Sequence, residues 1–170
     1  MTEILIRYAA GSPPAVLPLA LAMGVLLVVG VRLAVVDSRT HRLPDRIIFP
    51  AYPVAAVLLA AGALIAGEPS RVLAMLIGAA LLWLVYFMLR IVYPAGMGFG
   101  DVKLAGLLGL YLGFAGWGYL LWGTFAAFCL AGLWGLALIA SRRGTLRSAI
   151  PFGPFMIGGA VLVLAIPSLG

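Results

Sequence analysis

Three of the five acidic residues in this 170-residue chain lie at the ends of long apolar segments. They are Asp37, Asp45 and Asp101, and Asp101 closes the run Gly98-Phe99-Gly100-Asp101. A carboxyl group near hydrocarbon depth is costly, so one that persists usually marks an ion path, a proton relay or a catalytic centre. Two carboxyls that share one proton can activate a water molecule and polarise a peptide carbonyl, as in aspartic proteases. We therefore predict a catalytic pair formed by Asp37 and Asp101.

Each aspartate also has an interpretation that needs no chemistry. Asp45 follows Pro44 and precedes an apolar run, which is typical of a helix N-cap, and Asp101 also stands at a helix start after closely spaced glycines. Asp37 ends the first apolar segment, where the helix dipole disfavours an anion. The dipoles thus favour an ionised Asp101 and a neutral Asp37. Because such a pair titrates as a unit, the residue that holds the proton stays open.

The composition places these residues in a membrane protein. Hydrophobic residues make up 65% of the chain and charged residues 9%, and the mean hydropathy of +1.20 lies far outside the range of soluble domains. Apolar runs of roughly 20 residues are typical of membrane-spanning helices, and about six are predicted. They lie near residues 15–36, 47–66, 71–93, 102–114, 117–140 and 150–168, and the fourth is short for a full crossing. The predicted fold class is an all-α polytopic membrane protein, with one integral-membrane domain over residues 1–170 and a short non-cytoplasmic tail at 1–14.

Basic residues beside the spans predict the orientation, because lysine and arginine concentrate in cytoplasmic loops. One side carries Arg39, Arg42, Arg46, Arg90, Lys103, Arg142, Arg143 and Arg147, whereas the other carries Arg7 and Arg71. This asymmetry predicts that both chain ends lie outside the cytoplasm and that the loops 37–46, 94–101 and 141–149 lie inside. The separation between Asp37 and Asp101 matches two crossings with their turns. Both carboxyls are therefore expected on the cytoplasmic face, where they can meet.

The same residues argue against several other classes of protein and site. The net charge of +6 lies beside hydrophobic spans, which favours contact with anionic lipid over nucleic acid. Cys129 is the single cysteine and His41 the single histidine, so a disulfide, a zinc site and a serine-histidine-aspartate triad all lack support. The glycines before Asp101 do not match a phosphate-binding loop. No metal and no cofactor is expected.

Three motifs in order carry a family resemblance. They are Asp37-Ser38-Arg39-Thr40-His41-Arg42-Leu43-Pro44-Asp45, Gly98-Phe99-Gly100-Asp101-Val102-Lys103 and Ile150-Pro151-Phe152-Gly153-Pro154-Phe155. From about residue 20 to 165 the chain resembles the type IV prepilin peptidases, which are intramembrane aspartyl proteases with a Gly-x-Gly-Asp signature. The resemblance implies that Asp37 and Asp101 are catalytic. It also implies a multi-pass protein of a prokaryotic cytoplasmic membrane that removes the basic leader from pilin-like precursors at the cytoplasmic face.

The motifs also suggest residues that support the pair or line the substrate groove. These are Asp45, Gly98, Gly100, Lys103, Pro151, Gly153 and Pro154. We expect Asp45 to cap a helix or support Asp37, and we expect the substrate to unwind near Gly98 to Gly100. The segment from Pro151 to Pro154 must bend the start of the last span, so lining the groove and simple kinking are both open.

Longer members of the family carry a cytoplasmic segment with paired cysteines and methylate the new pilin N-terminus. Here about 14 residues precede the first span and no cysteine pair exists, so the resemblance implies a peptidase without methyltransferase activity. Two alternatives stay open at this stage. One is a noncatalytic membrane scaffold of a pilus or secretion assembly, and the other is a proton-coupled transporter that uses intramembrane aspartates.

Overall fold

The protein is described by a computed structural model that covers residues 1–94, 96–142 and 151–166. The described residues form α-helices joined by short turns, with one 3₁₀ turn at Pro13–Ala15 and no strand. The helices are α1 (Thr2–Gly11), α2 (Val16–Thr40), α3 (Asp45–Ile65), α4 (Pro69–Val92), α5 (Phe99–Ala115), α6 (Trp117–Ala140) and α7 (Gly153–Ala165). The prediction of an all-α membrane protein is confirmed.

Four of these segments are long and apolar enough to cross a membrane, namely Pro13–Thr40, α3, α4 and α6. The two other predicted spans correspond to shorter helices, since α5 has 17 residues and α7 has 13. The predicted sixth span began at residue 150 and ended at 168, and both of these positions lie outside the described residues. Six complete crossings therefore stay a prediction.

The centre of the bundle is α5. Every residue from Leu104 to Ala115 is buried, because α3, α4, α6 and α7 surround this helix. The closest approach is to α4, where a Cβ atom on Gly109 would lie 2.5 Å from the carbonyl oxygen of Gly78. Small residues on both helices thus allow backbone contact, as is common in membrane bundles. A helix enclosed in this way needs no lipid-facing stripe, which explains why it is apolar on all sides although it is short.

The first 14 residues were predicted as a tail, but they fold into α1 and the 3₁₀ turn. Met1, Ile4 and Tyr8 are buried on one face of α1. The N-terminal amine of Met1 donates a hydrogen bond to the carbonyl oxygen of Leu164, 3.0 Å away at the end of α7. Both ends of the described chain therefore lie at one end of the bundle.

The link between α2 and α3 determines where two of the aspartates lie. α2 ends at Thr40, and His41 adopts the left-handed conformation with φ of 51°, which turns the chain. The expectation that Asp45 caps α3 is wrong, because Pro44 holds the N-cap position and the Asp45 carboxylate makes no capping bond. The carboxylate instead pairs with the ammonium group of Lys103, whose charge makes the stronger partner.

Candidate active site

A cavity of about 460 Å³ opens at the end of the bundle that carries the three aspartates. Two segments line it, which are the end of α2 with its following turn and the start of α5. The lining residues are Asp37, His41, Arg42, Leu43, Pro44, Asp45, Gly98, Phe99, Gly100, Asp101 and Lys103. The first two sequence motifs therefore meet around one cavity, although more than 50 residues separate them along the chain.

Asp101 is held by the first turn of its own helix. The N-cap of α5 is Gly98, and the backbone N–H of Gly98 donates to Oδ2 of Asp101 at 2.9 Å. This is one of the two bonds of a capping box, because glycine has no side chain to form the other. Only 8% of Asp101 is exposed. The predicted position at a helix N-terminus is thus observed, with the helix beginning two residues before Asp101.

Asp37 is held by the N-terminus of a different helix. It lies in the last turn of α2 and is 4% exposed. The backbone N–H of Gly153, the first residue of α7, donates to Oδ2 of Asp37 at 3.0 Å. A carboxyl group that its own helix dipole disfavours is therefore stabilised by the positive end of α7. The sequence suggests Gly153 as a groove residue but does not reveal this bond, since the bond joins residues far apart in the chain.

The two buried carboxyls line the same cavity and are close enough for their charges to interact. Each uses one oxygen atom to accept a backbone N–H, and neither forms an ion pair with a described residue. This leaves two acidic groups facing one water-accessible space. Such an arrangement is suited to holding a water molecule between a carboxylate and a protonated carboxyl.

Asp45 and Lys103 form a link between α3 and α5 at the rim of the cavity. The Nζ atom of Lys103 lies 2.7 Å from Oδ1 and 2.9 Å from Oδ2 of Asp45. The same ammonium group lies 5.1 Å from the ring centres of Phe49 and Phe99. Asp45 is therefore already paired with a cation, which sets it apart from Asp37 and Asp101.

Leu43 is a site residue that sequence analysis missed. A Cβ atom on Gly100 would lie 2.7 Å from Cβ of Leu43, and one on Gly153 would lie 3.5 Å from its Cδ2 atom. The Leu43 side chain therefore lies between the starts of α5 and α7, whose backbone N–H groups bind the two carboxyls. Its position as an apolar residue in a loop of otherwise polar residues was a signal that could have revealed it.

Three predicted groove residues, Pro151, Gly153 and Pro154, do not line the cavity. Pro154 lies in the first turn of α7, where proline needs no N–H partner. Pro151 and Pro154 are half-buried. Across the described residues, no three His, Cys, Asp or Glu side chains are grouped as metal ligands would be.

Comparison with known proteins gives a consistent result. The sequence model of the type IV leader peptidase family matches residues 21–139, a range that contains Asp37 and Asp101 and ends before Gly153. A prepilin leader peptidase/N-methyltransferase of Pseudomonas putida is 32% identical over 134 residues, which is 78% of this chain and 45% of that protein. A protein of the same name from Stutzerimonas stutzeri is 27% identical over 134 residues, with the same coverage. The chain thus spans less than half the length of these curated relatives. No solved structure matches.

Proposed function

Because the chain belongs to the type IV leader peptidase family, we propose that it cleaves the basic leader peptide from type IV pilin-like precursors, with Asp37 and Asp101 as the catalytic pair. One observation carries this proposal. Two buried carboxyls from different motifs line a single open cavity, and each is held by a backbone N–H at a helix N-terminus. The proposal concerns peptidase activity alone and leaves out the methyltransferase activity in the names of the relatives.

In the proposed mechanism the two carboxyls share one proton. The ionised carboxyl removes a proton from the bound water while the protonated one donates its proton to the peptide carbonyl oxygen, which gives a tetrahedral intermediate. The carboxyl that took the proton from water then protonates the leaving nitrogen, while the other carboxylate takes a proton back from a hydroxyl of the intermediate, and the peptide bond breaks. Gly98 and Gly153 keep the carboxyl groups oriented throughout, since their N–H groups bind one oxygen of each. No covalent acyl-enzyme forms on this path.

We place the cavity on the cytoplasmic face of a prokaryotic cytoplasmic membrane, with α5 and α7 completing six crossings. The support is the asymmetry of basic residues in the sequence, of which Arg143 and Arg147 lie outside the described residues. The described chain ends share the other end of the bundle, where Met1 contacts Leu164. A precursor anchored by its own apolar helix would then present its leader at the level of Asp37 and Asp101.

The substrate must be extended near the cleaved bond, because carbonyl oxygens within a helix are already hydrogen-bonded. The segment from Gly98 to Gly100 offers an accessible edge of the cavity where this can occur. The exposed side chains of Arg39, Arg42 and Arg46 would repel a basic leader. We assign them to lipid phosphates or to an acidic residue of the precursor.

The proposal is tested with protein purified in detergent or liposomes and a pilin precursor from the same genome. Leader removal is followed by mass spectrometry for the wild type, Asp37→Asn, Asp101→Asn and Asp45→Asn, each checked for folding by thermal unfolding. We expect cleavage by the wild type, none by the first two variants, and reduced cleavage by Asp45→Asn.

Other results would point elsewhere. Cleavage that survives in Asp37→Asn or Asp101→Asn would overturn the catalytic assignment. A folded wild type that cleaves none of several precursors would favour the noncatalytic scaffold, and proton-dependent solute uptake in proteoliposomes would favour the transporter.

A further inference from the structure

A tyrosine of α4 lies at the level of the catalytic pair. α4 and α5 are antiparallel, and their close contacts follow one register: Gly113 with Met75, Gly109 with Gly78, and Gly106 with Trp83. One further turn in this register places Tyr86 opposite Val102, the residue that follows Asp101. In agreement, Tyr86 and Asp101 are close enough to interact electrostatically. Sequence analysis had no reason to select a tyrosine within an apolar span.

The ring of Tyr86 also reaches the segment that holds Asp37. Tyr86 is 2% exposed, and its ring centre lies 5.9 Å from that of Phe128 on α6 and 6.2 Å from that of Phe152. Phe152 directly precedes Gly153, whose N–H binds Asp37. One side chain is thus located between the elements that position the two catalytic carboxyls.

The hydroxyl group of Tyr86 differs from the other buried tyrosine hydroxyls. Four other tyrosine hydroxyls each donate a hydrogen bond. Tyr8 donates to the carboxylate of Glu68, and Tyr52, Tyr111 and Tyr119 donate to the carbonyl oxygens of Lys103, Ala22 and Ile166, respectively. Tyr93 is 66% exposed. Among the described residues, Tyr86 alone is a buried tyrosine whose hydroxyl donates to no named acceptor. No described acceptor takes up this donor, so it is available to a partner at the site.

We propose that Tyr86 is a positioning residue of the active site, whose hydroxyl donates a hydrogen bond to the Asp101 carboxyl when the precursor occupies the cavity. The Gly98 N–H binds Oδ2 of Asp101, so the phenol is assigned to the other oxygen, Oδ1. Two donors would then fix the plane of the carboxyl group for attack by water. The inference rests on the proposed peptidase function and adds a residue outside the three sequence motifs.

The test compares single-atom and whole-ring changes in the purified full chain. Tyr86→Phe keeps the ring contacts with Phe128 and Phe152 and removes only the hydroxyl, whereas Tyr86→Leu removes both. Tyr111→Phe is the matched control, because Tyr111 is equally buried on α5 and donates to Ala22 at 3.1 Å. For each protein, kcat and KM for precursor cleavage and the unfolding temperature are measured.

We expect Tyr86→Phe to lower kcat by about tenfold to a hundredfold, as loss of a hydrogen bond to a charged group does, with KM and unfolding temperature close to wild type. Tyr111→Phe should lower the unfolding temperature and leave kcat unchanged. A wild-type kcat in Tyr86→Phe, with loss confined to Tyr86→Leu, would overturn the inference and leave the peptidase assignment intact. Because the inference rests on that assignment, absence of cleavage by the folded wild type would overturn both.

Discussion

Glu68 at one end of the helix bundle and the pair Asp37 and Asp101 at the other are held in opposite ways. At the end where Met1 contacts Leu164, Glu68 is bound by cations on two sides: Arg7 lies 2.6 Å from Oε1, and Arg71 pairs with Oε2. At the other end, Asp37 and Asp101 accept backbone N–H groups and pair with no cation among the described residues. A carboxylate that is paired with cations stabilises the fold, whereas a carboxyl group that only accepts backbone N–H groups can still take up and release a proton.

The cations around Glu68 also affect its pKa. Burial by itself would raise the pKa of Glu68, but hydrogen bonds from Arg71 and Tyr8 and the charges of Arg71 and Arg7 lower it below its ordinary value. The same contact acts on the partner phenol, because burial and the hydrogen bond to Glu68 raise the pKa of Tyr8 to about 12. Glu68 therefore stays ionised at neutral pH and is unsuited to acid catalysis.

The largest contrast is expected between Asp101→Asn and Glu68→Gln. Removing a catalytic acid or base typically costs about 10²- to 10⁴-fold, so Asp101→Asn should lower kcat at least that much with little change in unfolding temperature. Glu68→Gln should do the reverse, because it weakens the link between α1 and α4 far from the cavity. Parallel measurement of precursor cleavage and thermal unfolding checks both. Equal loss of activity in the two variants would remove the distinction between the two ends.

A smaller effect is expected from Gly153→Ala, which tests the backbone donor rather than the acid. The new Cβ atom would lie 2.7 Å from Oδ2 of Asp37, so the carboxyl group or α7 must shift, which disturbs the hydrogen bond. We expect kcat to fall by about tenfold to a hundredfold. The matched control is Gly158→Ala on the same helix, where the nearest atom would be Leu130 Cδ1 at 3.8 Å. Similar kcat values for the two variants would mean that the Gly153 donor does not orient Asp37.

The link between Asp45 and Lys103 should give an intermediate result, because it is an ion pair at the end of the bundle with the proposed catalytic pair. The side chain of Asp45 is 54% exposed and that of Lys103 is 18% exposed, so the pair is expected to contribute about 0.2–1 kcal/mol. Lys103→Met should therefore lower kcat/KM by about twofold to fivefold. A double-mutant cycle with Asp45→Asn measures the coupling. Additive effects would show that the two side chains act independently.

The smallest effect concerns the pH dependence of stability at the Glu68 end. The folded-state pKa of Glu68 lies below the ordinary value of 4.5, so its stabilisation is present above pH 4.5 and is lost as the pH falls through the folded-state pKa. We expect the wild type to lose about 1 kcal/mol more than Glu68→Gln on acidification below that pH. Unfolding of both proteins in detergent across this range measures the difference. Parallel curves would contradict the role assigned to Glu68.

Features that depend on residues close together in the chain could be predicted from the sequence. Apolar length and the loop signals located the helices to within a few residues, and the unusual position of Asp37 and Asp101 marked them as a pair. The position of Asp45 before an apolar run suggested a cap, which was wrong because Lys103, distant in sequence, competes for its carboxylate. Leu43 and Tyr86 escaped prediction for the same reason, since their roles depend on contacts between helices.

The α1 helix shows a different limit of prediction from the sequence. The segment contains charged residues and lacks the length of a span, so it was predicted as a tail. Its stability comes from Tyr8 and Arg7 bonding to Glu68 and from the Met1 amine bonding to Leu164. Helical propensity alone does not order so short a segment, and tertiary packing decides the outcome.

The complete burial of α5 has a consequence for the bilayer around the protein. Hydrophobic mismatch is absorbed by helices that touch lipid, which tilt or shift when the membrane becomes thicker or thinner. From Leu104 to Ala115, α5 touches protein instead, so the depth of Asp101 is set by its neighbouring helices rather than by lipid chain length. A change in membrane thickness can therefore reach the proposed active site only through the helices that enclose α5.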